Sequence, residues 1–396
     1  MATGRATVTS SPLEIRALRA VRSAAPTTVI ALAVFAAVRG AGVLVLTIGS
    51  WWAGRDPLRV LGVSWDSVWY LGIAANGYGR TQMWPNPTTG TGSIQSDFAF
   101  FPLYPALMRL VGSVLPGGLI PAGILIAWVS AAVAAVGVYK IGERVLGPRA
   151  GLLLVGLWAA LPHAVVLSLA YTEALLAALA AWALYALLCG RWMWAAGLAV
   201  LAGLTRPTGL AVAAAVSVMA LHAVLVRKSR APEVWAAGLL APAGWAAYVL
   251  AVGVHVRDPL GGYFAVQRHW GSKFDFGVGA LRSAEQVLTG GHVPLATTVT
   301  VVVLAAAGLL AMLLLLDRTP LPLLAYTGIL LLITFGGAGY FESKPRFLLP
   351  AFPLLLPMAA VMARARPRTA IVVTGVLAGL GYGYGLYLLL IARVPL

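Results

Sequence analysis

Residues 294–316, PLATTVTVVVLAAAGLLAMLLLL, carry no charged side chain, and apolar stretches of similar length recur along the chain. The hydrocarbon core of a bilayer is ~30 Å thick, so a helix that spans it needs about 20 such residues. Apolar spans fall at roughly 27–49, 118–140, 150–170, 173–189, 193–204, 207–226, 233–254, 294–316, 320–339, 347–363 and 370–392, about eleven in all. The stretch 193–226 is long for one helix and short for two full ones. With 60% hydrophobic residues, 10% charged residues and a mean hydropathy of +0.89, a water-soluble core would have no polar face to show. The expectation is an all-α, polytopic transmembrane bundle of about 11 spans forming one integral membrane domain over 1–396. Cys189 is the only cysteine, which excludes an intrachain disulfide and a multi-cysteine metal site, so helix packing must hold the fold.

The net charge of +16 lies mostly in short loops and not in a basic, aromatic-interleaved face, so nucleic acid is not an expected partner. Lys and Arg in short loops mark the cytoplasmic side. Arg5, Arg16, Arg19 and Arg22 precede the first span, which reads as an uncleaved signal anchor behind a cytoplasmic tail at 1–26. Alternation then places Lys140, Arg144, Arg149, Arg191, Arg227, Lys228, Arg230, Arg318, Arg364, Arg366 and Arg368 on the same side. The long polar loops at 50–117 and 255–293, with the turns at 171–173 and 339–346, collect on the extracytoplasmic side. Polar groups gathered at one rim, without an internal repeat, favour an enzyme at the outer surface over the alternative, a transporter or flippase of a lipid-linked sugar.

Two arginines interrupt apolar segments. Arg39 falls deep in the first span, where a charge is costly and turns to a partner or a watery cavity. It serves either an ion pair within the bundle or an anionic ligand. Arg206, in LTRPTGLA, sits where Pro207 and Gly209 break a helix, at the apex of two unequal helices pointing outward. Its guanidinium either holds a phosphate or snorkels to the headgroups.

In SWDSVWYLGIAANGY, Ser64 suits an N-cap and Gly77 a helix end. Trp65, Trp69 and Ile73 then form an apolar stripe on an interfacial helix, with Asp66 and Tyr70 on the adjacent face. Asp66 lies in the first turn, where the helix dipole favours a carboxylate, so it is either a helix-start residue or a catalytic one. Asp97 precedes an aromatic, proline-rich entry into the next segment, and Glu173 sits at the outer end of a helix. Glu342, Lys344 and Arg346 share an outer turn, and Gln267, His269 and Trp270 form a mix suited to sugar hydroxyls and ring faces. The histidines (His163, His222, His255, His269, His292) are scattered, and no cluster has metal-ligand spacing.

Taken together and in this order, WDSVWYLGIAANGY, DFAFFPLYP, YTEALLAALA, LTRPTGLA and RFLLPAFPLLLP resemble the GPI mannosyltransferase II family and its bacterial relatives, within the GT-C superfamily of membrane glycosyltransferases. The resemblance runs from about Trp65 to Pro357. It implies transfer of a sugar, mannose in that family, from a polyprenyl-phosphate donor at the outer face, and it puts Asp66 in the place of the catalytic base. Eukaryotic members carry Glu and His where this chain has Val68 and Trp69, and Asn where it has Asp97, which leaves the acceptor open among lipid, glycan and protein. The mechanism expected is an inverting transfer without metal or cofactor. Arg206, Arg346, Lys344 and Arg39 are the candidates for the donor phosphate. Trp65, Tyr70, Asp97, Glu173, Gln267, Trp270 and Glu342 are the candidates for substrate contacts, and the prenyl tail would lie among the helices and membrane lipids.

Overall fold

The computed structural model describes residues 12–85, 92–290 and 292–392. Arg5 lies outside them, and Arg16, Arg19 and Arg22 are described by backbone alone. Helix α1 (Pro12–Trp52) leads into the short α2 (Pro57–Gly62) and α3 (Asp66–Asn76). An antiparallel hairpin follows, β1 (Thr81–Pro85) paired with β2 (Gly92–Ser96), and then α4 (Leu103–Gly112). Helices α5 (Leu119–Leu146), α6 (Pro148–Ala159), α7 (Glu173–Leu188), α8 (Trp192–Gly203) and α9 (Leu210–Leu225) make up the middle of the chain. Next come α10 (Pro232–Leu240), α11 (Ala243–His255), α12 (Gly262–His269), β3 (Lys273–Phe274) and α13 (Val278–Thr289). The last part holds α14 (Leu295–Leu316), α15 (Leu321–Gly336), β4 (Gly337–Ala338), α16 (Lys344–Phe347), α17 (Leu356–Arg364) and α18 (Pro367–Leu386).

Among the described residues, six helical segments are long and apolar enough to cross a membrane: Thr27–Trp52, Leu119–Leu146, Pro207–Leu225, Pro232–His255, Leu295–Leu316 and Pro367–Ile391. A further pair, Phe341–Phe347 and Phe352–Arg364, is bent by 76°, so the straight span expected over 347–363 is broken. Pro350 and Pro353 explain the bend, since each lacks an amide hydrogen and crowds the preceding turn. The span expected over 150–170 also ends early, at Ala159, two residues before Leu161-Pro162. Residues 160–172 continue instead as turns and a 3-10 segment, Ala164–Ser168. Four apolar helices are short: α6, α7, α8 and α15, with 12, 16, 12 and 16 residues. At 1.5 Å per residue they run only ~18–24 Å, against the ~30 Å of a hydrocarbon core.

The centre of the bundle is α5, flanked by α6 and α7, with α8 behind α7. Helix α7, EALLAALAAWALYALL, is apolar on every side and almost wholly buried, as a helix without a polar face has to be. Small residues let these helices touch backbone to backbone. A Cβ on Gly142 would come within 2.7 Å of Gly151 Cα, and one on Gly151 would come within 2.9 Å of both Glu143 N and Tyr139 O. Arg144 near the end of α5 donates to the Leu188 carbonyl at the end of α7 (3.0 Å), so these two helices finish at the same end of the bundle.

At the other end, α3, α4 and α12 meet through aromatic rings. Trp69 stacks on Phe100 at 5.7 Å and stands edge-on to Trp270 at 5.1 Å. Two residues of the expected surface stripe, Trp69 and Ile73, are thereby buried inside the protein, and Trp65 alone of the three stays well exposed. The tyrosine hydroxyl of α4, Tyr104, donates to the Gly123 carbonyl of α5 (2.8 Å) and fastens this cap to the bundle.

Because both backbone atoms facing Gly151 belong to α5, a branched side chain there has to push α6 outward. Gly151→Val is expected to cost about 1–3 kcal/mol, read as a lower midpoint of thermal unfolding of the purified protein in detergent. An unchanged midpoint would show that the α5–α6 contact is looser than described.

Candidate active site

Four charged side chains meet at the cap end. Asp66 Oδ2 lies 2.7 Å from Arg346 Nη1. Arg346 Nε is 3.6 Å from Glu173 Oε1, and that same oxygen is paired with Arg206 Nη1. The order in space is therefore Asp66, Arg346, Glu173, Arg206, with alternating sign. Burial is deepest at Glu173: its side chain is 1% exposed, against 25% for Asp66 and 10% for Arg206.

Local sequence accounts for each position. Asp66 opens α3 directly after Trp65, whose φ of 47° puts a bulky residue in the left-handed region that side chains rarely occupy. Ser64 does not cap the helix as its type suggests, and donates back to the Val60 carbonyl (2.6 Å). What holds the strained turn is the irregular segment after α6. The Asp66 amide donates to the Tyr171 hydroxyl (3.2 Å), Ser67 Oγ donates to the Ala170 carbonyl (3.1 Å), and the Ala170 amide donates to the Leu61 carbonyl (2.9 Å). Glu173 is the first residue of α7, where the positive end of the helix dipole favours a carboxylate. Arg206 is extended because Pro207 follows it and disfavours helix one residue earlier. Arg346 belongs to the single turn α16.

The two guanidinium groups share an aromatic neighbour. Arg206 lies 5.0 Å and Arg346 5.1 Å from the Phe347 ring, and Arg346 is also 5.3 Å from the Tyr171 ring. Such faces attract cations at a desolvated site. Arg206 Nε and Arg346 Nε are buried without a hydrogen-bond partner. A guanidinium is a planar fork of donors, a shape that fits a phosphate. Tyr70 shares a hydrogen bond with Thr172 (3.3 Å); burial, and then the charge of Asp66, push its hydroxyl above the ordinary tyrosine range, so it stays a neutral O–H.

The cluster is recessed. Helix α7 starts at Glu173 and α8 stops at Gly203, while α5 runs on for 28 residues from the shared far end. The difference of twelve residues between α5 and α7, 28 against 16, sets Glu173 about 18 Å below the tip of α5.

The remaining sequence candidates scatter. Lys344 Nζ donates to the carbonyls of Thr334 (2.7 Å), Phe335 (3.3 Å) and Gly337, and so caps the end of α15. Arg39 donates to Ser168 Oγ (2.8 Å) from within α1, beside a small cavity also lined by Gly42 and Tyr382. The carboxylate of Asp97 accepts from the Gly79 and Arg80 amides (3.1 and 2.9 Å) and pins the loop after α3. Glu342 accepts from Thr297 Oγ1 (2.8 Å), Gln267 donates to Tyr263 Oη (2.8 Å), and Trp270 Nε1 donates to the Ser96 carbonyl (3.0 Å). Tyr171, Phe347 and Tyr340 were missed as site residues, although two of them are close neighbours in sequence of Glu173 and Arg346. Among the described residues, no three His, Cys, Asp or Glu side chains come together as a metal-ligand group.

No protein-family model and no curated protein sequence matches the chain. Its fold does resemble solved structures. The crystal structure of ArnT from Cupriavidus metallidurans bound to undecaprenyl phosphate superposes with a TM-score of 0.53 at 14% identity, covering 86% of this chain and 63% of ArnT. The Archaeoglobus fulgidus oligosaccharyltransferase in complex with Zn and sulfate has a TM-score of 0.49 at 14% identity, covering 93% of this chain and 54% of the other. The chain thus spans less than two thirds of the length of either. The ArnT likeness shows a shared helical fold, and the apolar helices of this chain are those of a membrane bundle.

Removing a buried partner strands a charge, and Glu173 compensates two. Glu173→Gln is expected to cost about 3–5 kcal/mol of stability, well beyond Asp66→Asn at the exposed end of the chain, when both are compared by thermal unfolding. Equal losses would mean that the four charges do not act in the order described.

Proposed function

We propose that this protein is a membrane glycosyltransferase that moves a hexose, mannose by its motifs, from a polyprenyl-phosphate donor to a hydroxyl of a lipid, glycan or protein acceptor. The observation that carries the reading is the recessed chain of charges: a part-exposed carboxylate, Asp66, paired with the buried guanidinium of Arg346, which Glu173 links to that of Arg206. The GT-C-like fold supports the class of reaction, and the ArnT neighbour, bound to undecaprenyl phosphate, supports the class of donor. In this reading the cap end is extracytoplasmic and the amino terminus cytoplasmic, on the strength of the basic short loops. The narrower likeness to the GPI mannosyltransferase II family rests on the motifs.

Chemically, Asp66 takes the proton of the acceptor hydroxyl as that oxygen attacks the anomeric carbon. The bond from that carbon to the phosphate oxygen breaks on the opposite face, and its electron pair leaves with the polyprenyl phosphate. Inversion follows, and the proton passes from Asp66 to solvent. Arg206 and Arg346 stabilise the charge that grows on the phosphate, in a site too dry for water to do so. Arg346 also holds the Asp66 carboxylate in place, and Glu173 keeps the two arginines together before donor arrives. Lys344 and Arg39 leave the phosphate site in this account, because their nitrogen donors face α15 carbonyls and Ser168. The recess lets the phosphate enter from the bilayer while the prenyl tail stays among lipid chains.

Asp66→Asn is expected to lower transfer about 10²–10⁴-fold, measured as mannose moved from synthetic polyprenyl-phosphate mannose to extracted membrane lipids by purified protein in detergent. Full activity in this variant would remove Asp66 as the base. Arg206→Ala, in turn, is expected to weaken binding of undecaprenyl phosphate about tenfold or more, as a lost charge-assisted contact. Losses of binding and of thermal stability in strict proportion would instead assign Arg206 a structural role.

A further inference from the structure

Beyond the ionic chain lies a cavity of about 230 Å³ between α13 and residues 337–341. Ala280 and Ser283 of α13 form one wall, Tyr340 and Phe341 another, and Lys344 reaches it from behind. We propose that this cavity binds a single neutral sugar ring of the acceptor and presents its hydroxyl past Tyr340 to Asp66. The inference rests on the glycosyltransferase reading and names the class of acceptor group that the site takes.

Size limits the occupant first. The cavity falls below the ~300–1,000 Å³ of pockets for drug-sized ligands, which leaves room for one ring with its substituents. Charge limits it next. Lys344 is the single charged residue among the described lining residues, and its ammonium already donates to three carbonyls, so no cation is free for a phosphate or carboxylate. Two aromatic rings beside a serine hydroxyl and bare backbone offer apolar faces and hydrogen-bonding groups together. A polyhydroxylated ring, with C–H faces and O–H edges, answers both.

The connection to Asp66 runs through Tyr340. Its φ of 43° is left-handed, a strained geometry for a tyrosine, and its hydroxyl accepts from Gln95 Nε2 (3.3 Å). Arg346, which pairs with Asp66 at 2.7 Å, lies in the same helical turn as Lys344 of the cavity lining, so the wall and the carboxylate are joined by one short segment; burial, and then the charge of Asp66, raise the Tyr340 hydroxyl above the ordinary tyrosine range. Close packing keeps this wall in place. Gly339 has φ +86°, and a Cβ there would come within 2.5 Å of the Gly271 carbonyl oxygen. The opposite wall is a surface helix: α13 has no buried residue, and its start is held by Asp275, which accepts from the Gly277 and Gly279 amides (3.0 and 2.8 Å). Side chains on α13 can therefore be enlarged toward the cavity without disturbing the bundle.

Methyl α-D-mannopyranoside serves as the probe, with full-length protein in nanodiscs and saturation-transfer NMR as the readout. Ring-proton signals are expected for the unmodified protein, weaker for the charged analogue mannose 6-phosphate. Ala280→Trp and Ser283→Trp are each expected to reduce affinity for the methyl glycoside at least about tenfold by filling the cavity, with undecaprenyl phosphate affinity within about twofold of the parent. Ser283→Ala, which leaves the space open, should retain the signals. Signals that survive both Trp variants, stronger binding of mannose 6-phosphate, or no ring signals in the parent would each overturn the pocket. If undecaprenyl phosphate binds and depends on Arg206 in that event, the pocket alone is wrong. Absence of undecaprenyl phosphate binding in the parent would count against the glycosyltransferase reading itself.

Discussion

Arg346 stands between two carboxylates, Asp66 at 2.7 Å and Glu173 at 3.6 Å, and much of the cap end is arranged around it. A guanidinium removed from water costs several kcal/mol unless its charge is met and its hydrogens are used. Here two acids and two aromatic faces meet it. Glu173 then has to serve a second arginine, Arg206, and the alternation of sign makes the cluster neutral as a whole. A neutral cluster can sit at a depth where a lone charge would be expelled.

Depth in turn dictates the backbone. Because α7 begins and α8 ends at the cluster, their terminal amides and carbonyls lie well inside the span of α5. Irregular backbone at such a level is tolerated only where protein or a polar cavity satisfies it. The segment after α6 does this through Tyr171, Ala170 and Ser67, each of which joins it to α2 or α3. The same bonds hold the strained turn at Trp65, so the position of Asp66 depends on a segment a hundred residues further along the chain.

Residues of one chemical type are given different work by geometry. Lys344 and Arg346 are two positions apart, so on one helical turn they point to nearly opposite sides. Arg346 turns to the acids, and Lys344 turns to the carbonyls at the end of α15. Asp66 and Asp97 divide in the same manner, one part-exposed beside a cation, the other buried on backbone amides.

The apolar runs by themselves established a helical membrane bundle, since nothing else buries that much hydrocarbon surface in lipid. They also exposed Asp66, Glu173, Arg206 and Arg346, because a charge at the edge of an apolar run is conspicuous for its cost. Pro207 was legible as a break, whereas the expected spans over 150–170 and 347–363 ran through Pro162, Pro350 and Pro353, beside which the structure breaks them. Which acid meets which arginine, the burial of Trp69 against Trp270, and the removal of Lys344 from the cluster were decided only in three dimensions. Pairing depends on helix phase and on contacts more than a hundred residues apart, and composition and periodicity along one segment carry neither.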